Sequence, residues 1–561
     1  MIKRIFRKTT NTITAAAYVL AVSSIVSALL GLLRDRMLAG RFGAGEELDI
    51  YYAAFRIPNL VYGLLVSGGV IAAFLPVFSQ YMQKDKEEAW KLTSNSLNVF
   101  LLFSIIVCGL LFIFAPFLVK LVVPGFGPEN RELTVLLTRI MFLSPIFFGV
   151  SNIFASILQY YNHFIIFALS PIFYNLGIIF GILFLAPRFG VIGLAMGVVI
   201  GAFFHWLIQI PGAVINGFKY RPIFNLKSKG LRKIIRLMIP RTINSFATHF
   251  NLIVVTAIAS TIGVGNISIF NFSEHLRSMP IHIVGASFAV ASYPFLAKAW
   301  ANKEKEKFLS SISVTFRQTM FLAIPISFLL FLLRGQIVRI FLGVGKFSWT
   351  DTRLTAASLG LFVIGIFAFC LIPFLARVFY SLHNTKTPLL ISLITLPISV
   401  LFSFLFVWLL KFDNAFYRFF ANILNLKDIE NIAVVGLPLA ISLAAIFQAI
   451  LLLLFLKKRI TGFPLKTIFL SFKKILLVSV LMSVIVYLVL FLVASNLNVL
   501  TVSGIFIQTV IAAIVGVLSY WFFGYLFKIE ELQYFHIKIC SILKKKELII
   551  PSADTIDEEV S

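Results

Sequence analysis

Residues 13–60 read ITAAAYVLAVSSIVSALLGLLRDRMLAGRFGAGEELDIYYAAFRIPNL. The apolar run from Ile13 to Leu33 is long enough to cross about 30 Å of hydrocarbon, which takes about 20 helical residues. It closes on a charged pair, Arg34-Asp35. The glycine turn Phe42-Gly-Ala-Gly45 follows, and the next apolar run is interrupted by Arg56. An ionisable side chain inside a span is unfavourable by at least about 2.5 kcal/mol, so it faces a protein-lined watery cavity and marks a substrate or ion path. The rest of the chain supports the membrane reading. Its 561 residues are 60% hydrophobic and 13% charged, with a mean hydropathy of +0.97, which excludes a soluble core with a polar skin.

Fourteen such runs are expected, centred near residues 23, 66, 108, 146, 175, 202, 249, 284, 326, 366, 399, 444, 484 and 513. Met1-Ile-Lys-Arg-Ile-Phe-Arg-Lys resembles the basic start of a signal peptide. The apolar run after it is longer than a signal core and thirteen more follow, so a retained first helix is expected. The loop between the sixth and seventh runs carries Lys219, Arg221, Lys227, Lys229, Arg232, Lys233 and Arg236, whereas the loops near Gly263 and Asn496 carry no basic residue. Basic residues also gather at Lys298 to Lys307, Lys457 to Arg459 and Lys544 to Lys546, all on one side if there are fourteen spans, which places both termini in the cytoplasm. The same rule, with attraction to anionic membrane lipids, explains the net charge of +26 without nucleic acid.

An internal repeat orders the helices. Phe42-Gly-Ala-Gly45 is echoed by Ile262-Gly-Val-Gly265 at an offset of 220, and Ile57-Pro58 by Met279-Pro280 at 222. Val119-Lys120 with Gly125-Phe-Gly127 matches Val338-Arg339 with Gly343-Val-Gly345 at 218 to 219, and Gln159-Tyr-Tyr-Asn162 matches Ser381-Leu-His-Asn384 at 222. Ile192-Gly-Leu-Ala and Val435-Gly-Leu-Pro are 243 apart, the excess being the polar insert Lys411 to Asn431. Repeats of six spans are parallel copies, the architecture of an alternating-access carrier. The expected fold is an all-α polytopic membrane protein of about fourteen transmembrane helices, two parallel six-helix lobes plus two extra C-terminal helices. Its domains are 1–215, a basic cytoplasmic linker 216–236, 237–460, the additional pair 461–527 and a cytoplasmic tail 528–561.

The turns also set depth. Arg34 lies nine residues before Gly43 and Arg56 eleven after Gly45, so both are about 15 Å below that turn at 1.5 Å per residue. Glu274, His275 and Arg277 follow Gly265 by nine to twelve residues and occupy a similar depth in the second repeat. Arginine recognises phosphate bidentately, and low dielectric strengthens the pairing, so an anionic, phosphorylated substrate is inferred. Other chemistry is poorly supported. Gly343-Val-Gly-Lys-Phe-Ser lacks the spacing and preceding strand of a phosphate loop. Cys108, Cys370 and Cys540 are solitary, and His163, His205 and His383 are isolated, so neither a disulfide framework nor a metal site is expected. An enzyme acting on polyprenyl phosphate would need clustered acids or histidines, usually with a divalent metal, and none is present. No catalytic residue and no cofactor is expected, and the coupling ion or membrane-potential dependence is left open. Tyr534 to Lys546 reads as either an amphipathic helix on the inner leaflet or a solvated extension.

Arg34-Asp35, Phe42-Gly-Ala-Gly45, Asp49, Ala54-Phe-Arg-Ile-Pro-Asn59 and Phe74-Leu-Pro76 resemble the amino-terminal signature of the MurJ lipid II flippases. Gly193-Leu-Ala-Met-Gly197 through Gln209-Ile-Pro211 and Arg377 to Pro388 extend the likeness. The resemblance implies a fold of fourteen helices in the multidrug/oligosaccharidyl-lipid/polysaccharide exporter superfamily. It further implies movement of the undecaprenyl-pyrophosphate-linked peptidoglycan precursor from the inner to the outer leaflet, with a role in cell-wall synthesis and cell shape. By position it carries over Arg34, Asp35, Asp49 and Arg56 as substrate-binding residues, and the last two helices as a groove for the lipid tail. Departures are equally visible. Ser27-Ala28 stands where the family has Ser-Arg, Ser67-Gly68 where it has Glu-Gly, and His275 where it has arginine, with Arg277 two residues on. Val255 replaces its helix-seven aspartate, and its polar helix-eleven positions fall near Ser399 and Ser403, which argues against sodium coupling by that route. A related flippase or ion-coupled exporter for another lipid-linked oligosaccharide or anionic solute is the alternative, and cell-wall synthesis proteins are open as partners at the loops.

Overall fold

A computed structural model describes residues 13–64, 69–496 and 501–532. The Tyr534 to Lys546 segment, Cys540 and the Ser67-Gly68 pair lie outside the described residues, as does most of the expected tail. The described chain is helical with no strand. Its helices are α1 (Ile13–Phe42), α2 (Glu46–Ala54), α3 (Arg56–Tyr62), α4 (Val70–Lys84), α5 (Lys86–Val122), α6 (Pro128–Met141), α7 (Leu143–Tyr160), α8 (Phe164–Phe180), α9 (Ala186–Phe189), α10 (Val191–Leu207), α11 (Ile210–Ile215) and α12 (Lys229–Ser260). There follow α13 (Asn266–Pro280), α14 (Ser287–Ala301), α15 (Lys305–Leu332), α16 (Arg334–Phe341), α17 (Trp349–Val363), α18 (Ile366–Ser381), α19 (Lys386–Leu409), α20 (Ala415–Ile423), α21 (Gly436–Arg459), α22 (Leu465–Asn496) and α23 (Val502–Leu526).

Ten helical spans among the described residues are long and apolar enough to cross a membrane, and the bent pair α17–α18 makes eleven. The fourteen expected from the sequence are therefore not all reached. The other three positions hold helices too: the 30-residue α1, the broken series α2–α4, and α12, whose apolar part is limited to Ser245–Ser260. Charge explains α12, since its first half carries Lys229, Arg232, Lys233 and Arg236 of the basic linker.

Two compact units are present: residues 1–269 with 341–351, and residues 270–340 with 352–561. In the first unit, Phe74, Phe78, Leu92, Ile153, Ile157 and Leu231 form a buried core joining α4, α5, α7 and the start of α12. α12, at the seventh of the expected runs, thus packs with the first unit, although the repeat groups it with the second half. The extended segment before α12 is held along α5 by side-chain amides. Asn98 donates to the carbonyls of Arg221 and Ile223, while Asn95 donates to the Asn225 carbonyl at 2.9 Å and accepts from its N–H at 2.6 Å. His205 belongs to a packing network in which its Nδ1 lies 2.8 Å from Ser151 Oγ and Gln209 donates to Ser151 and Ser170.

Three glycine turns meet in this unit. Gly345 has φ +58°, and a Cβ there would stand 2.2 Å from the Gly40 carbonyl, to which Lys346 N–H also donates at 2.8 Å. Gly265, at φ +85°, approaches the Ala44 carbonyl as closely. The repeated glycines are thus explained by packing: left-handed backbone and absent Cβ are both required. Gly345→Ala is expected to destabilise the protein by more than about 1 kcal/mol, because strain and overlap add. A fall in the apparent melting temperature of the purified protein in detergent, by fluorescence-detected size exclusion, would show it; an unchanged midpoint would refute the packing account.

In the second unit, Phe308, Phe316, Phe374, Phe379, Leu452 and Leu456 fill the core between α15, α18 and α21. Ile475, Val478, Met482 and Val486 of α22 and Ala512 and Tyr520 of α23 join the same cluster. The additional pair is anchored chiefly on α15, where Tyr520 donates to the Phe321 carbonyl at 2.9 Å. Beyond α23, Arg317 of α15 pairs with Glu530 at 2.5 Å and with the buried Glu531 at 3.2 Å.

Candidate functional site

Arg34 and Asp35 are neighbours on α1. The guanidinium curls back so that Nε and Nη2 both donate to Asp35 Oδ1, at 3.0 and 2.9 Å, which neutralises two embedded charges locally. Its Nη1 donates to Asn175 Oδ1 at 3.3 Å, and Asn175 Nδ2 donates in turn to Ser27 Oγ at 3.2 Å. Asn175 was not anticipated, although a lone amide in the run Phe164–Phe180 was a visible signal. Arg34 keeps 19% of its side-chain surface exposed against 6% for Asp35, so the cation is the accessible member of the pair.

Arg56 starts α3, just beyond the kink at Phe55 that separates it from α2. Its Nε donates to Thr256 Oγ1 at 2.6 Å, and that hydroxyl spends its own proton on the Leu252 carbonyl at 2.8 Å. The threonine therefore presents a lone pair to the guanidinium and fixes its direction. No sequence signal marks Thr256, because threonines bonded to the preceding turn are ordinary in apolar helices.

Asp49 has a different setting. Buried on α2, it accepts from Gly265 N–H at 2.6 Å, from Ser268 N–H at 2.7 Å and from Ser268 Oγ at 2.6 Å. Those donors are the N-terminus of α13, where a carboxylate satisfies otherwise orphaned N–H groups and meets the positive end of the helix dipole. The geometry makes Asp49 the cap of a helix far along the chain.

The second-unit residues lie on α13. Arg277 Nη2 meets Glu274 Oε1 at 3.3 Å, one turn away on the same face. Its guanidinium is sandwiched between Phe362 and Phe369, with Cζ 4.3 and 4.2 Å from the two ring centres. These rings flank the break at residues 364–365 where α17 and α18 bend by 45°. Nε and Nη1 have no hydrogen-bond acceptor, and the residue is 9% exposed. His275, half-buried, projects about 200° around the helix from Arg277, so the arginine does not take over the histidine's face. The many phenylalanines of this chain hid Phe362 and Phe369. If the sandwich carries weight, Arg277→Lys, which keeps charge but not the plane, should lower stability by about 1 kcal/mol, and Phe369→Leu by a similar amount. The two losses should not add in a double-mutant cycle read by thermal unfolding; full additivity would dissolve the interaction.

Among the described residues no group of three or more His, Cys, Asp or Glu is placed to hold a metal. Cys108 and Cys370 are buried free thiols. The helices and embedded arginine–carboxylate pairs define a polytopic membrane transporter, and comparison with solved structures bears this out at the level of fold. The chain superposes on a lipid II flippase MurJ in an inward closed conformation with TM-score 0.73, 24% identity, and coverage of 91% of this chain and 98% of the other. An inward-facing multidrug-resistance MATE transporter of the MOP superfamily gives TM-score 0.65 at 15% identity, covering 80% and 98%.

The sequence comparisons are more particular. The profile of the family described as lipid II flippase MurJ matches residues 38–507. The lipid II flippase MurJ of Burkholderia cenocepacia is 27% identical over 445 residues, 78% of this chain and 82% of that one. The probable lipid II flippase MurJ of Buchnera aphidicola subsp. Schizaphis graminum is 30% identical over 382 residues, 67% and 74% of the two chains. The chain belongs to the MurJ lipid II flippase family, a family of transporters rather than enzymes, and is a multi-pass protein of the inner membrane.

Proposed function

We propose that this protein moves lipid II, the undecaprenyl-pyrophosphate-linked peptidoglycan precursor, from the inner to the outer leaflet, with both termini in the cytoplasm. The single observation that carries the reading beyond family membership is the partly exposed Arg34 guanidinium, locally neutralised by Asp35 yet able to exchange that partner for a pyrophosphate. Arg56, aimed by Thr256, supplies a second cationic contact, and Arg277, with two orphaned donors, a third. Asp49 acts by positioning α13, which carries Glu274 and Arg277 on one face and His275 on another. In this mechanism no bond is made or broken. The headgroup crosses through a cationic cavity by alternating access while the lipid tail stays in the bilayer, and only differential binding of the loaded states is needed.

The test is depletion of the protein in its native cell followed by a leaflet-resolved assay of lipid II. Inner-leaflet accumulation, rescued by wild type but not by the Arg34→Ala/Asp35→Ala double variant, is expected. The double variant removes the pair together and so leaves no stranded carboxylate, whereas Arg34→Ala alone buries an uncompensated charge. Unchanged lipid II sidedness on depletion would overturn the proposal in favour of another lipid-linked or anionic cargo.

A further inference from the structure

The insert Lys411 to Asn431, which has no counterpart in the first half of the chain, is folded and apolar on one side. Asn414 closes both ends of the connection: its Oδ1 caps α20 by accepting from Tyr417 N–H at 2.8 Å, and its Nδ2 donates to the Leu409 carbonyl at the end of α19 at 2.7 Å. Phe416 stacks on Phe406 of α19 with ring centres 5.7 Å apart and planes 12° from parallel. Beyond α20, Arg353 of α17 grips Asp428 with both terminal nitrogens, at 2.5 and 2.6 Å, and also donates to the Asn425 carbonyl. Ala421, Leu424 and Leu426 are buried against the unit. A helix held on three sides in this way has a defined outward face.

That face has two stripes. Phe419 and Ile423 are four residues apart, share one side of α20 at 3.6 residues per turn and are 56% and 50% exposed; Phe412, in the turn before the helix, is 54% exposed. Arg418 and Asn422 occupy the adjacent side, and Arg418 is turned along the surface to Asp413 at 2.8 Å. The apolar stripe continues the outward row of α19, a span of mean hydropathy 2.5, formed by Leu401, Phe404, Leu405 and Trp408. Trp408 and Phe412 touch, with ring centres 5.6 Å apart, so the row runs unbroken from the span onto the loop helix. An exposed apolar row on a helix long and apolar enough to cross a membrane is a lipid-facing row, and its continuation meets the same medium at its boundary, where aromatic side chains concentrate and amphipathic helices lie in plane.

We propose that α20 is an interfacial anchor, seated in the headgroup and upper acyl region of the bilayer at the C-terminal end of α19, with Phe412, Phe419 and Ile423 inserted and Arg418 and Asn422 toward water. Its partner is the lipid surface itself. Through Asn414 it fixes the end of α19, and through the Arg353 grip it ties the start of α17 to the same interface. The anchor is a feature of the second half alone and does not depend on what cargo is carried.

Its test uses the full chain with Cys108, Cys370 and Cys540 replaced by serine, reconstituted into phosphatidylethanolamine–phosphatidylglycerol vesicles. Single spin labels go at Phe419→Cys, Ile423→Cys and Asn422→Cys, with Leu401→Cys as the lipid-facing standard. Collision with oxygen and with a water-soluble nickel chelate is then measured. Labels at 419 and 423 are expected to favour oxygen several-fold over the chelate, as at 401, and the label at 422 to show the reverse preference. Equal chelate access at 419, 422 and 423 would place the stripe in water, and protection from both reagents would mean that a second copy covers it; either result overturns the anchor. The Leu401 standard distinguishes both from a misfolded preparation.

Discussion

Arg56→Ala is expected to weaken binding of the pyrophosphate headgroup by about 10- to 100-fold and to fail to support growth in place of the wild type. The magnitude is that of one charge-assisted contact, about 1.5–3 kcal/mol, at 1.4 kcal/mol per decade. Insertion should survive, because a buried guanidinium is exchanged for an apolar methyl in an already apolar stretch. Thr256 sharpens the test. Its hydroxyl holds Arg56 Nε at 2.6 Å but carries no charge, so Thr256→Val should lose part of the effect by releasing the guanidinium's direction. Arg56→Lys should do the same, since an ammonium cannot present the planar fork. The graded order wild type, then Lys or Thr256→Val, then Ala is the signature of an aimed anion contact. Wild-type binding of lipid II by Arg56→Ala in vesicles, at normal abundance, would remove Arg56 from the substrate path.

Asp49→Ala should act through folding, with a loss of about 2–6 kcal/mol. Two buried backbone donors, Gly265 N–H and Ser268 N–H, would lose their acceptor, and each such group is worth about 1–3 kcal/mol. The Ser268 hydroxyl would lose a third bond. Asp49→Asn preserves one acceptor oxygen but turns an amide donor toward the remaining N–H, so an intermediate loss is expected. Thermal unfolding of the purified variants, compared with lipid II binding at a temperature where all are folded, separates the two roles. A positioning residue gives a large shift in midpoint with binding largely retained. Loss of binding at an unchanged midpoint would instead make Asp49 a direct ligand and contradict the capping geometry.

Much of the candidate site was legible as charge in the wrong solvent. Arg34, Asp35 and Arg56 stand out because the surrounding residues are apolar, and a bilayer turns that contrast into free energy whatever the fold. Their partners were less visible. Asn175, Thr256, Phe362 and Phe369 are separated from the charges they serve by long stretches of chain, and hydroxyl and phenyl groups are not unusual inside spans. Asp49 was legible only as an acidic residue near arginines; that Gly265 and Ser268 donate to it at the start of α13 could not be read from residue order. The span count shows another limit. Basic residues at the start of α12 and the break in α2–α4 interrupt what composition averages into continuous apolar runs.

The sequence alone determined that this is an all-helical membrane protein, because chain hydropathy is a local quantity that needs no knowledge of contacts. It also determined which side chains are too polar for their surroundings. Only the tertiary structure decided what satisfies them: that α12 packs with the first unit, that Asp49 caps α13, that Arg277 lies between two rings at a helix break, and that the insert is an amphipathic helix fastened by Arg353. Those outcomes rest on distances between residues far apart in sequence, and a hydrogen bond or ring stack exists only at about 3–5 Å, a scale that residue order does not encode.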